Sequence, residues 1–221
     1  MEKISEQPEP NLGGKQEDSK KDTTLLAEFI SGFRLIVTFL IIVVLFRGTV
    51  IEPYRIPSGS MIPTLRIGDH ILVSKLSYGL RLPFVPETLY RYSEPDRGDV
   101  VVFTRPDDMQ TKENESKDNI VKRVVGIGGD LIEVRGNKLY RNKQQVSEDY
   151  ARWEMGGDPR GNFGPTVVPD GYVLVMGDNR DHSKDARHWR QHFLPLNRIK
   201  GRALFIYWSW DDLSRIFMKI N

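Results

Sequence analysis

Asn119-Ile120-Val121-Lys122-Arg123-Val124-Val125 is a run of β-branched residues interrupted by two adjacent cations. That composition reads as a β-strand. Side chains alternate across a strand, so Lys122 shares a face with Ile120 and Val124, while Arg123 points the other way. An ammonium on an apolar face is costly unless it is paired or neutral. Two readings stay open: a solvated lysine on an edge strand, or an amine that desolvation holds neutral, well below its ordinary pKa near 10.4. Similar segments recur at residues 69–76, 99–104, 131–134, 172–176 and 202–208, each bounded by Gly, Asp or Pro. Helical periodicity is scarce after residue 50, apart from a short tail at 212–219. Residues 135–169 are less regular and read as an inserted lobe, placed at about 131–170. The pattern predicts a mostly β fold, an antiparallel β-sheet core with a small inserted lobe.

The 221 residues are 39% hydrophobic and 28% charged, enough for one globular domain with or without a lobe. Formal net charge is +2, and no Lys/Arg block interleaves with aromatics, so no nucleic-acid partner is expected. Cysteine is absent, which excludes disulfides, thiolate metal sites and cysteine nucleophiles.

Residues 1–24 are polar, with Pro8, Pro10, Gly13 and Gly14, and read as a disordered tail. The apolar run at 35–46 gives about 18 Å of helix, too short for a hydrocarbon core of about 30 Å. Extended back to Phe29 it reaches about 27 Å, with Arg34 and Arg47 placed to snorkel to either interface. A cleaved signal peptide is the rival reading, but no small-x-small site follows Phe46-Arg47-Gly48-Thr49-Val50-Ile51. The expectation is an uncleaved transmembrane helix at 29–47, with 1–28 before it and a catalytic domain at 48–221. Flanking charge does not orient the span, because Lys20, Lys21 and Arg34 compete with Arg47, Arg55 and Arg66.

Just past this span lies Ile56-Pro57-Ser58-Gly59-Ser60-Met61-Ile62-Pro63-Thr64-Leu65. Two prolines and a glycine make a stiff turn able to present a serine. A serine nucleophile needs a base. His70, His182, His188 and His192 are available, yet no Gly-x-Ser-x-Gly elbow appears. His188 and His192 stand four residues apart without a third ligand at zincin spacing, so no metal or other cofactor is expected. Lys122 is the other candidate base. A polar loop, Gly177-Asp178-Asn179-Arg180-Asp181-His182-Ser183-Lys184-Asp185-Ala186-Arg187, follows an apolar strand, where site-building groups tend to collect.

Taken in order, these segments resemble type I bacterial signal peptidase, in its single-span form. The motifs are the apolar span, residues 56–65, Gly68-Asp69-His70-Ile71-Leu72-Val73, Arg97-Gly98-Asp99-Val100-Val101-Val102-Phe103, Lys122-Arg123-Val124-Val125-Gly126, and 177–187. The resemblance implies a membrane-bound serine endopeptidase that cleaves signal peptides from exported preproteins. Ser60 matches the nucleophile and Lys122 the general base. Ser58 matches an oxyanion donor beside the Ser60 N–H. Ser183 matches a hydroxyl that orients the lysine, and Asp185 and Arg187 match a supporting ion pair. Ile56, Met61, Leu65, Ile120 and Val121 match the walls of shallow pockets for small side chains. It also implies a lipid-bilayer setting at the cell membrane, with 1–28 cytoplasmic and 48–221 extracytoplasmic, and Trp208 and Trp210 as candidates for the interface. Oligomeric state is left open. Gly128 stands where Pro is common and Ala186 where Ser is common; neither touches the dyad. Two rivals remain, a self-processing Ser-Lys protease like the SOS-response repressors and an inactive membrane-anchored β domain.

Overall fold

The computed structural model describes residues 13–80, 89–104, 119–153 and 162–221, with side chains from residue 28 onward. Residues 107–118, whose run of charged and polar residues reads as a loop, lie outside the described residues. Two compact units are present, residues 1–45 and 46–221.

The first unit is helical. α1 runs Gly13–Thr49, and its Glu28–Thr49 portion is long and apolar enough to cross a membrane. Phe29, Leu35 and Phe39 are exposed, on a helix that is apolar all round. The helix starts well before the expected tail boundary at residue 24. Residues 15–22 are rich in Lys, Glu, Gln and Asp, and once the apolar portion has nucleated a helix these residues extend it at little cost.

The second unit is built on a seven-stranded sheet. Its strands are β1 (Ile51–Arg55), β2 (His70–Ser74), β5 (Val100–Thr104), β6 (Asn119–Ile127), β11 (Tyr172–Met176), β12 (Leu194–Pro195) and β13 (Ile199–Trp208). A hairpin of β3 (Gly79–Leu80) and β4 (Tyr90–Arg91) lies outside that sheet. The spatial order is β1-β2-β13-β5-β6-β11-β12, and every neighbouring pair is antiparallel. Four antiparallel steps separate β1 from β6, so these two strands point the same way. Pro53 sits in β1, an edge strand, where a missing N–H is tolerated. β6 changes partner at Arg123: Asn119–Arg123 pairs with β5, and Arg123–Ile127 pairs with β11. The first half of β6 therefore keeps one backbone edge without a partner strand among the described residues.

The expected lobe is more regular than its sequence suggested. β7 (Leu131–Arg135), β8 (Lys138–Arg141), β9 (Gln144–Gln145) and β10 (Phe163–Val167) form a four-stranded antiparallel sheet in the order β10-β7-β8-β9. Its hairpins turn at Gly136-Asn137 and Asn142-Lys143, all four at positive φ (56°, 62°, 52° and 69°), as two-residue primed turns require. Ile132, Val134 and Leu139 of the lobe share one buried cluster with Val124, Val173 and Phe103 of the main sheet. A second cluster, containing Ile56, Met61, Leu65, Ile71, Val102 and Ile206, lies beneath the serine turn.

The short helix expected at 212–219 is not formed. A single 3-10 turn, Leu213–Arg215, is followed by a bridge between Phe205 and Lys219. Arg215 settles the matter: it is buried on Asp69 at 2.7 Å and also donates to the Thr64 carbonyl at 2.9 Å. Burial pushes the Asp69 carboxyl up, but the Arg215 hydrogen bond and the Arg66 backbone N–H outweigh it and hold the pKa below the ordinary value.

Candidate active site

Ser60 lies in a one-turn 3-10 helix, Gly59–Met61. Met61 on this turn and Leu65 just after it are buried, which fixes its depth. The Ile56 N–H donates to Asp69 O at 2.8 Å, and the Gly68 N–H returns to Ile56 O at 2.9 Å. The loop after β11 holds the other side. The Asn179 N–H donates to Ser60 O at 3.1 Å, and Asn179 Nδ2 donates to Gly59 O at 3.1 Å. Gly177 allows this approach, because a Cβ there would overlap the Ser60 carbonyl oxygen and Ser183 Oγ. Only a residue without a side chain fits where two backbones close this tightly.

Lys122 reaches the turn from β6. The two residues are 62 positions apart in sequence, yet Lys122 Nζ donates to Ser60 Oγ at 2.6 Å. Nζ also donates to the Val121 carbonyl at 3.0 Å. Lys122 is 4% exposed and Ser60 9%. Desolvation disfavours the charged form of a buried amine. Ser58 Oγ lies 3.4 Å from Ser60 Oγ.

Arg123, which points away from the serine, anchors the strand. It is 1% exposed and makes a two-pronged bond to Asp178, Nε to Oδ1 and Nη2 to Oδ2, both at 2.8 Å. Nη1 donates to Gly98 O at 2.7 Å and to Asn221 O at 2.6 Å. Thr64 Oγ1 donates to Asp178 Oδ2. The Tyr150 ring stacks against the guanidinium, 3.9 Å from its centroid. One buried network thus joins the strand of Lys122, the turn of Ser60 and the loop 177–187. Sequence reading singled out neither Arg123, Asp178, Asn179 nor Thr64 for this. The signal was present in part: the burial argument applied to Lys122 applies equally to its neighbour and calls for an acidic partner.

Asp185 and Arg187 form a buried pair, with Arg187 Nε donating to Asp185 Oδ1 at 2.9 Å and Nη2 to Oδ2 at 3.0 Å. Asp185 Oδ2 also accepts from the Gly177 N–H at 3.0 Å. Burial pushes the Asp185 carboxyl up, and the Arg187 hydrogen bonds and charge overcome it, so the pKa ends below the ordinary value. Ser183 is buried, and its Oγ forms no hydrogen bond of normal geometry among the described residues. It stands close enough to Asp185 to favour the ionised carboxylate. The bond to lysine implied for Ser183 is not formed here, because Lys122 Nζ is turned toward Ser60 and the Val121 carbonyl.

A groove of about 880 Å³ opens over the pair. Its walls are Tyr54–Ile56 with the serine turn on one side and Asn119–Lys122 on the other, and Asn179, His182 and Lys184 close one part. Ile56, Met61, Ile120 and Val121 line it. Leu65 does not: it is fully buried in the cluster beneath, because its place after the turn directs it inward. Among the histidines, only His182 lines the groove. His192 Nδ1 meets the Ala186 carbonyl at 2.7 Å, and His70 faces the Tyr207 ring.

Residues 28–208 match the family described as signal peptidase, peptidase S26. A signal peptidase I of Pseudomonas fluorescens is 35% identical over 206 residues, covering 78% of this chain and 70% of that protein. A probable signal peptidase I-1 of Synechocystis sp. is 36% identical over 183 residues, covering 81% and 84%.

Proposed function

The chain belongs to the signal peptidase family, peptidase S26, and is a serine endopeptidase of the signal peptidase I class; on that premise we propose that it removes signal peptides from exported preproteins by a Ser60–Lys122 mechanism. The contact that carries the reading is Lys122 Nζ on Ser60 Oγ at 2.6 Å, buried at the base of the groove. In the reactive state the amine is neutral and accepts the Ser60 proton as Oγ attacks the scissile carbonyl. The oxyanion is held by the Ser60 N–H and the Ser58 hydroxyl. Lys122 passes its proton to the leaving amine, then takes one from the water that hydrolyses the acyl-enzyme. Ser183 and the Asp185–Arg187 pair steady the loop that packs on the serine turn.

The substrate enters as an extended chain. β1 is an edge strand and the first half of β6 has an open edge, and both face the groove. A peptide strand laid between them gains backbone hydrogen bonds on either side. Ile56, Met61, Ile120 and Val121 leave only shallow apolar space beside Ser60, which suits small side chains before the cut.

The bilayer belongs to the same reading. The Glu28–Thr49 portion of α1 serves as a single-pass anchor, with residues 1–28 cytoplasmic and 48–221 on the far side of the cell membrane. In this reading the exposed Trp210, packed edge-on to Trp208 with ring centroids 5.1 Å apart, dips into the interface. Protease added to intact spheroplasts should digest the C-terminal domain; protection there contradicts the orientation. The test of function is cleavage of a signal-peptide-bearing preprotein by the full chain in neutral detergent. Wild type cuts at the signal-peptide junction, and Ser60→Ala and Lys122→Ala do not while remaining folded by circular dichroism. A folded, active Lys122→Ala enzyme overturns the lysine as base.

A further inference from the structure

The groove over Ser60 carries charge of one sign. Its ionisable lining is Arg55, Lys122, His182 and Lys184, with no Asp or Glu among the described residues that form it. Two acids of the adjoining loop are committed elsewhere, Asp178 to Arg123 and Asp185 to Arg187, each pair buried, and the third, the half-buried Asp181, does not line the groove. Lys122 sits at the base on Ser60. Arg55, from the end of β1, and Lys184, from the loop after β11, are different: both are exposed, and neither pairs with a carboxylate among the described residues. A cleft with low-dielectric walls and one sign of charge focuses its field on whatever enters it.

We propose that Arg55 and Lys184 set a charge preference, so that the enzyme cuts peptides bearing acidic side chains around the scissile bond faster than peptides bearing basic ones. The proposal rests on the groove being where an extended substrate meets Ser60. A peptide fixed between β1 and β6 holds its side chains at constant distances from both cations, so the preference is positional. An Asp falling within reach of either cation is attracted; a Lys at the same place is repelled. Exposed charge pairs are individually weak, which places the Asp-to-Lys rate ratio at about three- to tenfold in low salt. Salt screens the contribution, so the ratio falls toward one as ionic strength rises.

The experiment uses the full chain in uncharged detergent and a set of signal-junction peptides. Each carries Asp, Ser or Lys at one position on either side of the bond, with the small residues before the cut unchanged. The readout is the Asp-to-Lys ratio of kcat/KM within each enzyme, so a general loss of activity in a variant cancels. The expected result is a ratio above one at a subset of positions in wild type, collapsing in high salt and in Arg55→Gln/Lys184→Gln. A wild-type ratio of one at every position overturns the proposal, as does a ratio the double variant retains. Flotation on anionic phosphatidylglycerol vesicles gives the other arm. If the double variant loses vesicle binding while keeping the peptide ratio, the two cations serve lipid, and the proposal falls. Absence of Ser60-dependent cleavage of any peptide strikes the functional reading itself, whereas cleavage without charge preference strikes only this inference.

Discussion

Gly177→Ala places one methyl group where the serine turn and the loop 177–187 close on each other. The new Cβ would overlap Ser183 Oγ and the Ser60 carbonyl oxygen, and would lie 2.5 Å from Ser183 Cβ. Carbon atoms at rest sit about 3.5 Å apart, so the two segments must separate by roughly 1 Å. The Ser183 side chain is buried and the Ser60 oxygen is backbone, so no flexible end can swing aside. Overpacking of this kind costs about 1–3 kcal/mol of stability. The catalytic penalty is of similar size, since a displacement near 1 Å costs on the order of 100-fold in rate, about 2.7 kcal/mol. The Asn179 bond to Ser60 O crosses the seam that opens, and the Lys122 bond to Ser60 Oγ, made from β6, depends on where the displaced turn comes to rest. The assay pairs a thermal melt with kcat/KM on a preprotein, both in the same detergent. The expected outcome is a folded protein with a modestly lowered Tm and a loss near 100-fold, carried mainly by kcat. Activity within twofold of wild type refutes the idea that this seam sets the Ser60 position.

Three further outcomes are expected. Ser58→Ala removes an exposed hydroxyl 3.4 Å from the nucleophile; it should lower kcat about 100- to 1,000-fold and leave Tm nearly unchanged. An intact kcat removes Ser58 from the oxyanion site. Leu65→Ala should cost about 2–5 kcal/mol in urea unfolding as a core cavity, without relaxing the preference for small residues before the cut. A changed preference returns Leu65 to the pocket wall. Asp185 has a folded-state pKa held below its unfolded value, so its contribution to stability is full above the ordinary carboxylate range and is lost as pH falls through the lowered folded pKa. Arg187→Ala leaves that buried carboxylate uncompensated, so neutral-pH stability should drop by about 3–5 kcal/mol and the loss should shrink in acid, as read by denaturant melts at several pH values. A loss independent of pH contradicts the pairing.

Much of the fold was legible because half-buried strands write their burial into alternating β-branched residues. β2, β5, β6, β7, β11 and β13 all fall on segments chosen that way. The lobe was under-read, although Gly136-Asn137 between Leu131–Arg135 and Lys138–Arg141 is a hairpin signal in plain view. β10 escaped because Gly164 and Pro165 interrupt its pattern. The start of α1 was missed because polar helix formers look like a solvated tail until an apolar span nucleates the helix. At the site, Ser60 and Lys122 were readable as chemistry but not as neighbours, since only the sheet order joins them across 62 residues. Leu65 was misplaced because nothing local says whether a turn residue faces a groove or a core. The Arg123–Asp178 bond was hidden for the same reason as the dyad, its two halves lying on β6 and on the loop after β11, which meet only in the folded sheet.

The central claim is that Lys122 makes Ser60 a nucleophile. Acid-quenched mass spectrometry of the full-length enzyme mixed with a signal-junction peptide reads this directly, as the mass of the N-terminal peptide fragment added at Ser60. The expected result is an adduct in wild type that forms faster as pH rises and Lys122 loses its proton, none in Ser60→Ala, and none at any pH in the always-charged Lys122→Arg. An adduct on Ser60 that forms at the wild-type rate in Lys122→Arg, or an adduct on another residue, contradicts the account.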